Sequence, residues 1–411
     1  MSDTNNQRTH KVGPLKLKVN RIQPTTSDKT PMYAVCTPDR WGMRYSDEDP
    51  ERRDHLMYPI ARDYAKAIQD VLLSQVQWGN QYFGSAGGKP TLKLEWPLIE
   101  SQIDQLSNLI RPVVTKALTS TTGGFGIPVA VVPNQLGFYV PTPDRPAGEQ
   151  GAFSPNNWSL LLNVSALAPM FKIDALIAKT SPRTELVGPL KTFSDTLYHE
   201  ARHCQQWFWI YALVLQHSDN FDTLPNIAKW PQALSGGTPV KDPTTSIPQG
   251  KAILDLASRQ PIPTDTATLI SIKRMAVGQY VYTLNIWRKV GYRPAYFADA
   301  AALEDEFQRA RSVALDLLQH VGIGGTSIDV DAMVAEPSTC YCDYTARPWE
   351  NDAFVCGEMA TAYWNAGMGL GLATYAPDQC SDAYQHADAN SKRALRGADV
   401  GSGTGGKGEG Q

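Results

Sequence analysis

The stretch Tyr198-His199-Glu200-Ala201-Arg202-His203-Cys204-Gln205-Gln206 holds two imidazoles four residues apart, with a carboxylate directly after the first. On a helix, residues at that spacing share one face about a turn apart, so His199 and His203 can grip one metal ion together. Zinc suits such donors. It binds neutral imidazole nitrogen at roughly 2.0–2.1 Å, and a catalytic site adds a third protein ligand and leaves one position open. Glu200 stands beside that open position, where it can take a proton from an activated water and pass it to a leaving amine. The chemistry this pattern points to is that of a metallohydrolase, with Zn2+ as cofactor.

The motif needs a helix to carry it. Leu197 to Gln216 contains no Gly or Pro and many good helix formers. Thr192 or Ser194 can cap its start, with Asp195 favourable in the first turn. Trp207, Phe208, Trp209, Ile210, Leu213, Val214 and Leu215 make it apolar almost all round, as in a helix at a domain's centre.

A third ligand is required. In the extended H-E-x-x-H-x-x-G-x-x-H pattern the glycine would fall at Gln206 and the histidine at Trp209, so neither matches. His217 lies about 21 Å along the helix at 1.5 Å per residue, out of reach of the same ion. His10, His55, His320 and His386 sit in segments with no supporting pattern. A carboxylate from a distant helix remains. Tyr344 to Tyr363 offers one: Pro348 opens a helix, and Glu350 and Asp352 fall in its first turn. Trp349, Phe354, Met359 and Tyr363 would dock it on the core. Glu350 is the first choice, with Asp352 and Glu358 as alternatives, Glu358 also being placed to hydrogen-bond a ligand histidine from behind. Tyr344 and Arg347 are nearest to act as an oxyanion stabiliser, with Tyr341 and Tyr363 as further options.

The rest of the chain predicts an α+β fold, mostly helical, with a small β-sheet before the metal-binding helix. Residues 1–50 form a flexible leader with one strand at Leu15–Val19, and 51–120 are helical, including Pro97–Leu118 with Pro112 as a kink or break. Within 125–165, Ile127–Val132, Gly137–Val140 and Trp158–Val164 have strand composition, followed by a helical stretch from Ala166 to Ala178. Leu160–Asn163 is the candidate edge strand for an extended peptide. Residues 190–217 are the motif helix, and 218–262, rich in Pro, Gly, Ser and Thr, a loop or lid. Two helices follow, at about Asp265–Val290 and Ala295–Val321, within a helical region 265–370. The catalytic unit spans 51–389, and the Gly-rich end, 390–411, is a disordered tail.

Composition narrows the partners. At 411 residues, 42% hydrophobic and 19% charged, the chain has the balance of a globular protein, and its net charge of −3 gives no reason to expect nucleic acid. Ten tryptophans and seventeen tyrosines call for a large aromatic core or aromatic-lined clefts. No secretory signal precedes residue 31 and no apolar run reaches the roughly 18–20 residues of a membrane span. The expectation is cytoplasmic synthesis, with export by a route needing no cleaved signal left open. The six cysteines show no C-x-x-C pair, so reduced structural thiols are expected.

His199-Glu200-x-x-His203-x-x-Gln206, followed far downstream by Arg347-Pro348-x-Glu350-x-x-Ala353, resembles the zincin metallopeptidases that use a glutamate ligand. In particular it is similar to the peptidase core domain found in toxins of contractile injection systems, whose pattern is H-E-x-x-H-x-x-Q-Q. Gln206 matches the first glutamine of that pattern, while Trp207 stands where the second would be. The resemblance covers two short windows. It implies zinc at His199 and His203, Glu200 as general base, Glu350 as third ligand, a peptide or protein as substrate and a role as a bacterial effector or toxin. Two other readings share the motif: a zinc amidase acting on non-protein amides, and an inactive zincin-like binding module.

Overall fold

The structure, a computed structural model, describes residues 8–12, 15–19, 58–85, 87–120, 126–133, 136–139, 150–155, 158–181, 183–231, 250–263, 266–318, 330–334 and 347–368. In chain order, β1 (Arg8–Val12) and β2 (Leu15–Val19) form an antiparallel hairpin. Helix α1 (Tyr58–Asp70) follows, buried at Ala61, Tyr64, Ala65 and Ile68, the spacing of one helical face. A π-helical turn, Val71–Gln75, then leads into β3 (Val76–Trp78), β4 (Gln81–Tyr82) and β5 (Leu92–Leu94), a small mixed sheet in the order β4-β3-β5. The stretch read as helical up to residue 120 therefore carries strands as well.

Helix α2 (Glu100–Thr119) runs unbroken through Pro112. Pro112 and Asn108 are both on the exposed face, so water can reach the carbonyl that the proline leaves without a donor. Ile127–Val132 is not a strand: Pro128 and Pro133 bracket its centre, which is a 3-10 turn, Val129–Val131. A second mixed sheet consists of β6 (Leu136–Tyr139), β7 (Gly151–Ser154) and β8 (Ser159–Asn163), in the order β6-β8-β7. Here the expectation for Leu160–Asn163 fails. That segment is the central strand, parallel to β6 and antiparallel to β7, with no free edge. Its unbroken Leu160-Leu161-Leu162 run is the pattern of a strand covered on both faces. The helical stretch after it is split, because Pro169 lies in a 3-10 helix, Val164–Lys172, before α3 (Ala175–Thr180) and α4 (Arg183–Leu186).

Helix α5 (Gly188–Gln216) carries the histidines. It starts earlier than Thr192 or Ser194, with Pro189 in its first turn, and both proposed caps are inside it. Every residue from Leu197 to Val214 is buried. The described parts of the supposed loop pack into the core: 3-10 turns at Ser218–Phe221 and Ile227–Lys229 and helix α6 (Gly250–Ala257) bury Phe221, Leu224, Ile227, Trp230 and Ile253. Residues 232–249 of that stretch lie outside the described residues, as do most of 1–50 and all of 390–411.

Helices α7 (Thr266–Val290) and α8 (Ala300–Leu318) follow, then a short turn of helix, α9 (Val330–Met333), and α10 (Pro348–Gly367). The α10 helix packs on α5 and α1, and α7 packs on α8 and α5. The result is mostly helical with small mixed sheets. Trp78, Trp158, Trp209, Trp230, Trp287 and Trp364 are each less than 2% exposed, so the aromatic content goes into the core. Among the described residues no helix is long and apolar enough to cross a membrane.

Gly278, in the middle of α7, sets how closely α10 can approach. A Cβ there would meet Cζ3 of the buried Trp349 at 2.8 Å. Gly278→Val should lower stability by about 1–3 kcal/mol through overpacking, exceeding any helix-propensity gain. Thermal melting of the two proteins side by side measures it.

Candidate metal centre

Two turns of α5 and the first turn of α10 meet at one point. His199 Nε2 and His203 Nε2 lie 3.2 Å apart, and Glu350 Oε2 is 3.5 Å from the first and 3.4 Å from the second. The imidazole planes stand at 83°, both nitrogens turned to the same spot. His199, His203 and Glu350 are all buried, and these three residues could hold a metal ion. Oε2 of Glu350 makes no hydrogen bond of ordinary geometry, so its partner is a cation: the protonated His203 imidazole at 3.4 Å in the metal-free protein, or a metal ion in its place.

Glu350 reaches the histidines because the start of α10 is tied to α5. Asp352, fully buried, accepts from Arg202 Nε at 2.8 Å and from Gln206 Nε2 at 2.7 Å. Gln206 Nε2 also donates to the Trp349 carbonyl at 2.9 Å, and Gln206 Oε1 lies 2.8 Å from His203 Nδ1. Behind α5, Tyr64 of α1 donates to the Ser194 carbonyl at 2.8 Å and stacks on Tyr198 at 4.4 Å.

Glu200 faces the same space from the other side. Its Oε2 accepts the Phe153 N–H of β7 at 2.7 Å, and Oε1 lies 3.9 Å from His199 Nε2. Among the described residues β7 pairs only with β8. Gln150 bonds Asn163 across that ladder, so Ala152 also faces β8 while Gly151 and Phe153 turn their amide groups outward. Gly151 is required for this approach. A Cβ there would stand 2.8 Å from Thr196 Cγ2 and 3.1 Å from Glu200 Cγ.

The charges are strongly coupled. Burial would lower the His203 imidazole, but Glu350, Glu200 and Gln206 outweigh it and lift it to about 9. Burial would raise Glu350, yet the imidazoles hold it well below the ordinary carboxylate range. Burial raises Glu200 above its usual value, against the pull of both histidines.

Of the residues singled out from sequence, His199, His203 and Glu350 come together with Glu200 beside them. Asp352, the first alternative to Glu350, points instead to Arg202 and Gln206. The Glu358 side chain, Tyr344 and Tyr341 lie outside what is described, and Tyr363 is buried in α10. Arg347 is buried with its guanidinium 4.9 Å from the Tyr282 ring centre. His217 caps the end of α5 and takes no part in the cluster. Sequence reading passed over Arg202, Gly151 and the Phe153 amide. Arg202 did leave a signal, because a guanidinium on a helix buried all round must find an acid.

Metal uptake needs neutral His203, so it displaces a proton wherever the metal-free imidazole is charged. The apparent affinity for zinc should rise about tenfold per pH unit below about 9 and level off above it. In the metal-free protein the sign reverses. The His203–Glu350 pair stabilises the fold fully below the ordinary histidine range, and that gain is lost as pH rises through about 9. Chelator-competition titrations and metal-free melting curves across pH 6–10 check both. No family model matches the chain, and neither a curated protein nor a solved structure matches it.

Proposed function

We propose that this protein is a zinc-dependent hydrolase of peptide bonds, with His199, His203 and Glu350 as metal ligands and Glu200 as general base. The observation that carries the reading is the triangle of donor atoms. A tetrahedral ion with ligands at about 2.0–2.1 Å separates its donors by about 3.3–3.4 Å. The three edges here are 3.2, 3.4 and 3.5 Å. Two imidazoles and one carboxylate are also a donor set of catalytic zinc sites, which keep one position open. Zinc bound there supplies Lewis-acid chemistry and makes water a nucleophile at neutral pH.

The chain's own groups divide the remaining work. Oε2 of Glu200 is held by the Phe153 amide, which leaves Oε1, the oxygen turned toward the histidines, to take the proton from water. Burial makes this carboxyl a stronger base than an exposed one, and it can return the proton to the leaving amine. With the Phe153 N–H taken by Glu200, the outward edge of β7 offers the Gly151 amide group and the Phe153 carbonyl, and these favour an extended peptide over a small amide, because an edge strand recognises backbone. The edge lies on β7, one strand away from the segment expected to provide it. A zincin-like relationship is part of the same proposal, supported by the motif helix and the distant glutamate.

Glu200→Gln should keep the metal and lose about 10²–10⁴-fold in peptide hydrolysis. His199→Ala and Glu350→Ala should lose the metal itself. Metal content of the purified variants, read beside cleavage of a peptide library, tests this. Full proteolysis by metal-loaded Glu200→Gln would exclude the mechanism, and a wild-type protein that takes up no zinc would exclude the enzyme.

A further inference from the structure

The hydrogen bonds behind His203 have only one consistent direction. Arginine has donors and no acceptor, so Arg202 gives Nε–H to Asp352 Oδ2 at 2.8 Å and Nη2–H to Oδ1 at 3.3 Å. Both carboxylate oxygens are thereby acceptors. Gln206 Nε2 sits 2.7 Å from Asp352 Oδ2 and 2.9 Å from the Trp349 carbonyl oxygen. Neither partner can donate, so that end of the amide is the NH2 and the other end, 2.8 Å from His203 Nδ1, is the oxygen. An amide oxygen only accepts. His203 must therefore carry a proton on Nδ1, which in the neutral ring leaves the lone pair on Nε2, the atom that faces His199 and Glu350.

Without that anchor the amide could turn over. Gln206 would then offer NH2 to Nδ1 and favour the opposite tautomer, whose Nε2–H points at the metal position and blocks it. Arg202 is itself held, since its Nη1 donates to Gln205 Oε1 at 2.9 Å and Gln205 Nε2 donates to the Leu118 carbonyl near the end of α2 at 3.1 Å. We propose that Gln206, fixed by Asp352 and Arg202, is a positioning residue that sets the tautomer of His203 and keeps its Nε2 lone pair on the metal position. The inference rests on the metal site proposed above and adds to it residues that touch no ligand of that ion except through His203.

The test uses the full chain and zinc alone. Zinc affinity is measured by chelator competition for the wild type, Gln206→Leu, Asp352→Asn and the double variant, with melting of each metal-free protein as a control for folding. Gln206→Leu should bind zinc about tenfold to a hundredfold more weakly while still folded. Asp352→Asn should lose less, and the double variant no more than Gln206→Leu, because Asp352 acts through Gln206. Proton NMR of the zinc-loaded protein with labelled histidine supplies a readout that a merely structural role would not move. The His203 Nδ1–H signal should be sharp and slowly exchanging in the wild type and exchange rapidly in Gln206→Leu. If Gln206→Leu does not fold, Asp352→Asn decides by the same two measurements. Wild-type protein that binds zinc, with folded variants binding it as tightly, would overturn this proposal and leave the metal site standing. Wild-type protein that takes up no zinc would remove both.

Discussion

Burying polar groups is the constraint on which this structure depends. Helix α5 is enclosed from Leu197 to Val214, and within that span it carries His199, Glu200, Arg202, His203, Gln205 and Gln206. A buried polar group left without a partner costs about 1–3 kcal/mol, more if charged. The helix cannot supply these partners from its own backbone, which is committed to its internal hydrogen bonds. Other elements must bring them: Asp352 and the Trp349 carbonyl from α10, the Phe153 amide from β7, and the Leu118 carbonyl from α2. The arrangement around α5 is largely the set of solutions to that requirement.

At the point where the two histidines converge, that requirement is not met by hydrogen bonds. Glu350 Oε2 is buried with two imidazole nitrogens in ion-pair range and no hydrogen-bond donor. A cation at the centre of the three donors is what would complete it, and the proposed hydrolytic role follows from where Glu200, held by β7, lies relative to that point. In the same way, the Arg202–Asp352 pair makes little sense as a source of stability alone, because buried ion pairs rarely outperform well-packed apolar side chains. Its value here is orientation.

Much of the fold was legible where periodicity was strong. Helix α7 spans Thr266–Val290 against an expected Asp265–Val290, and α1, within the stretch read as helical, buries one face through Ala61, Tyr64, Ala65 and Ile68. Short apolar stretches were harder, since Ile127–Val132 has the composition of a strand and yet forms a 3-10 turn between two prolines. The Pro- and Gly-rich residues after α5 looked like a lid because composition cannot show that Phe221, Leu224 and Trp230 sit in the core. Edge or centre in a sheet is equally invisible locally: β8 is central because β6 and β7 flank it, a fact held by those other segments.

By itself the sequence determined the chemistry of the α5 face. Spacing of four residues places His199 and His203 together on any helix, and the absence of helix breakers made that helix secure. It also placed a carboxylate at Glu350 behind a helix-opening proline. Only the tertiary structure decided that Glu350, and not Asp352, turns to the histidines, and that Asp352 goes to Arg202. Those two residues share one helical turn and nearly identical chemistry, so the choice depends on which neighbour each meets when α10 docks. The strand lying across Glu200 was decided at the same level, because a backbone amide belongs to every residue and only packing selects Phe153.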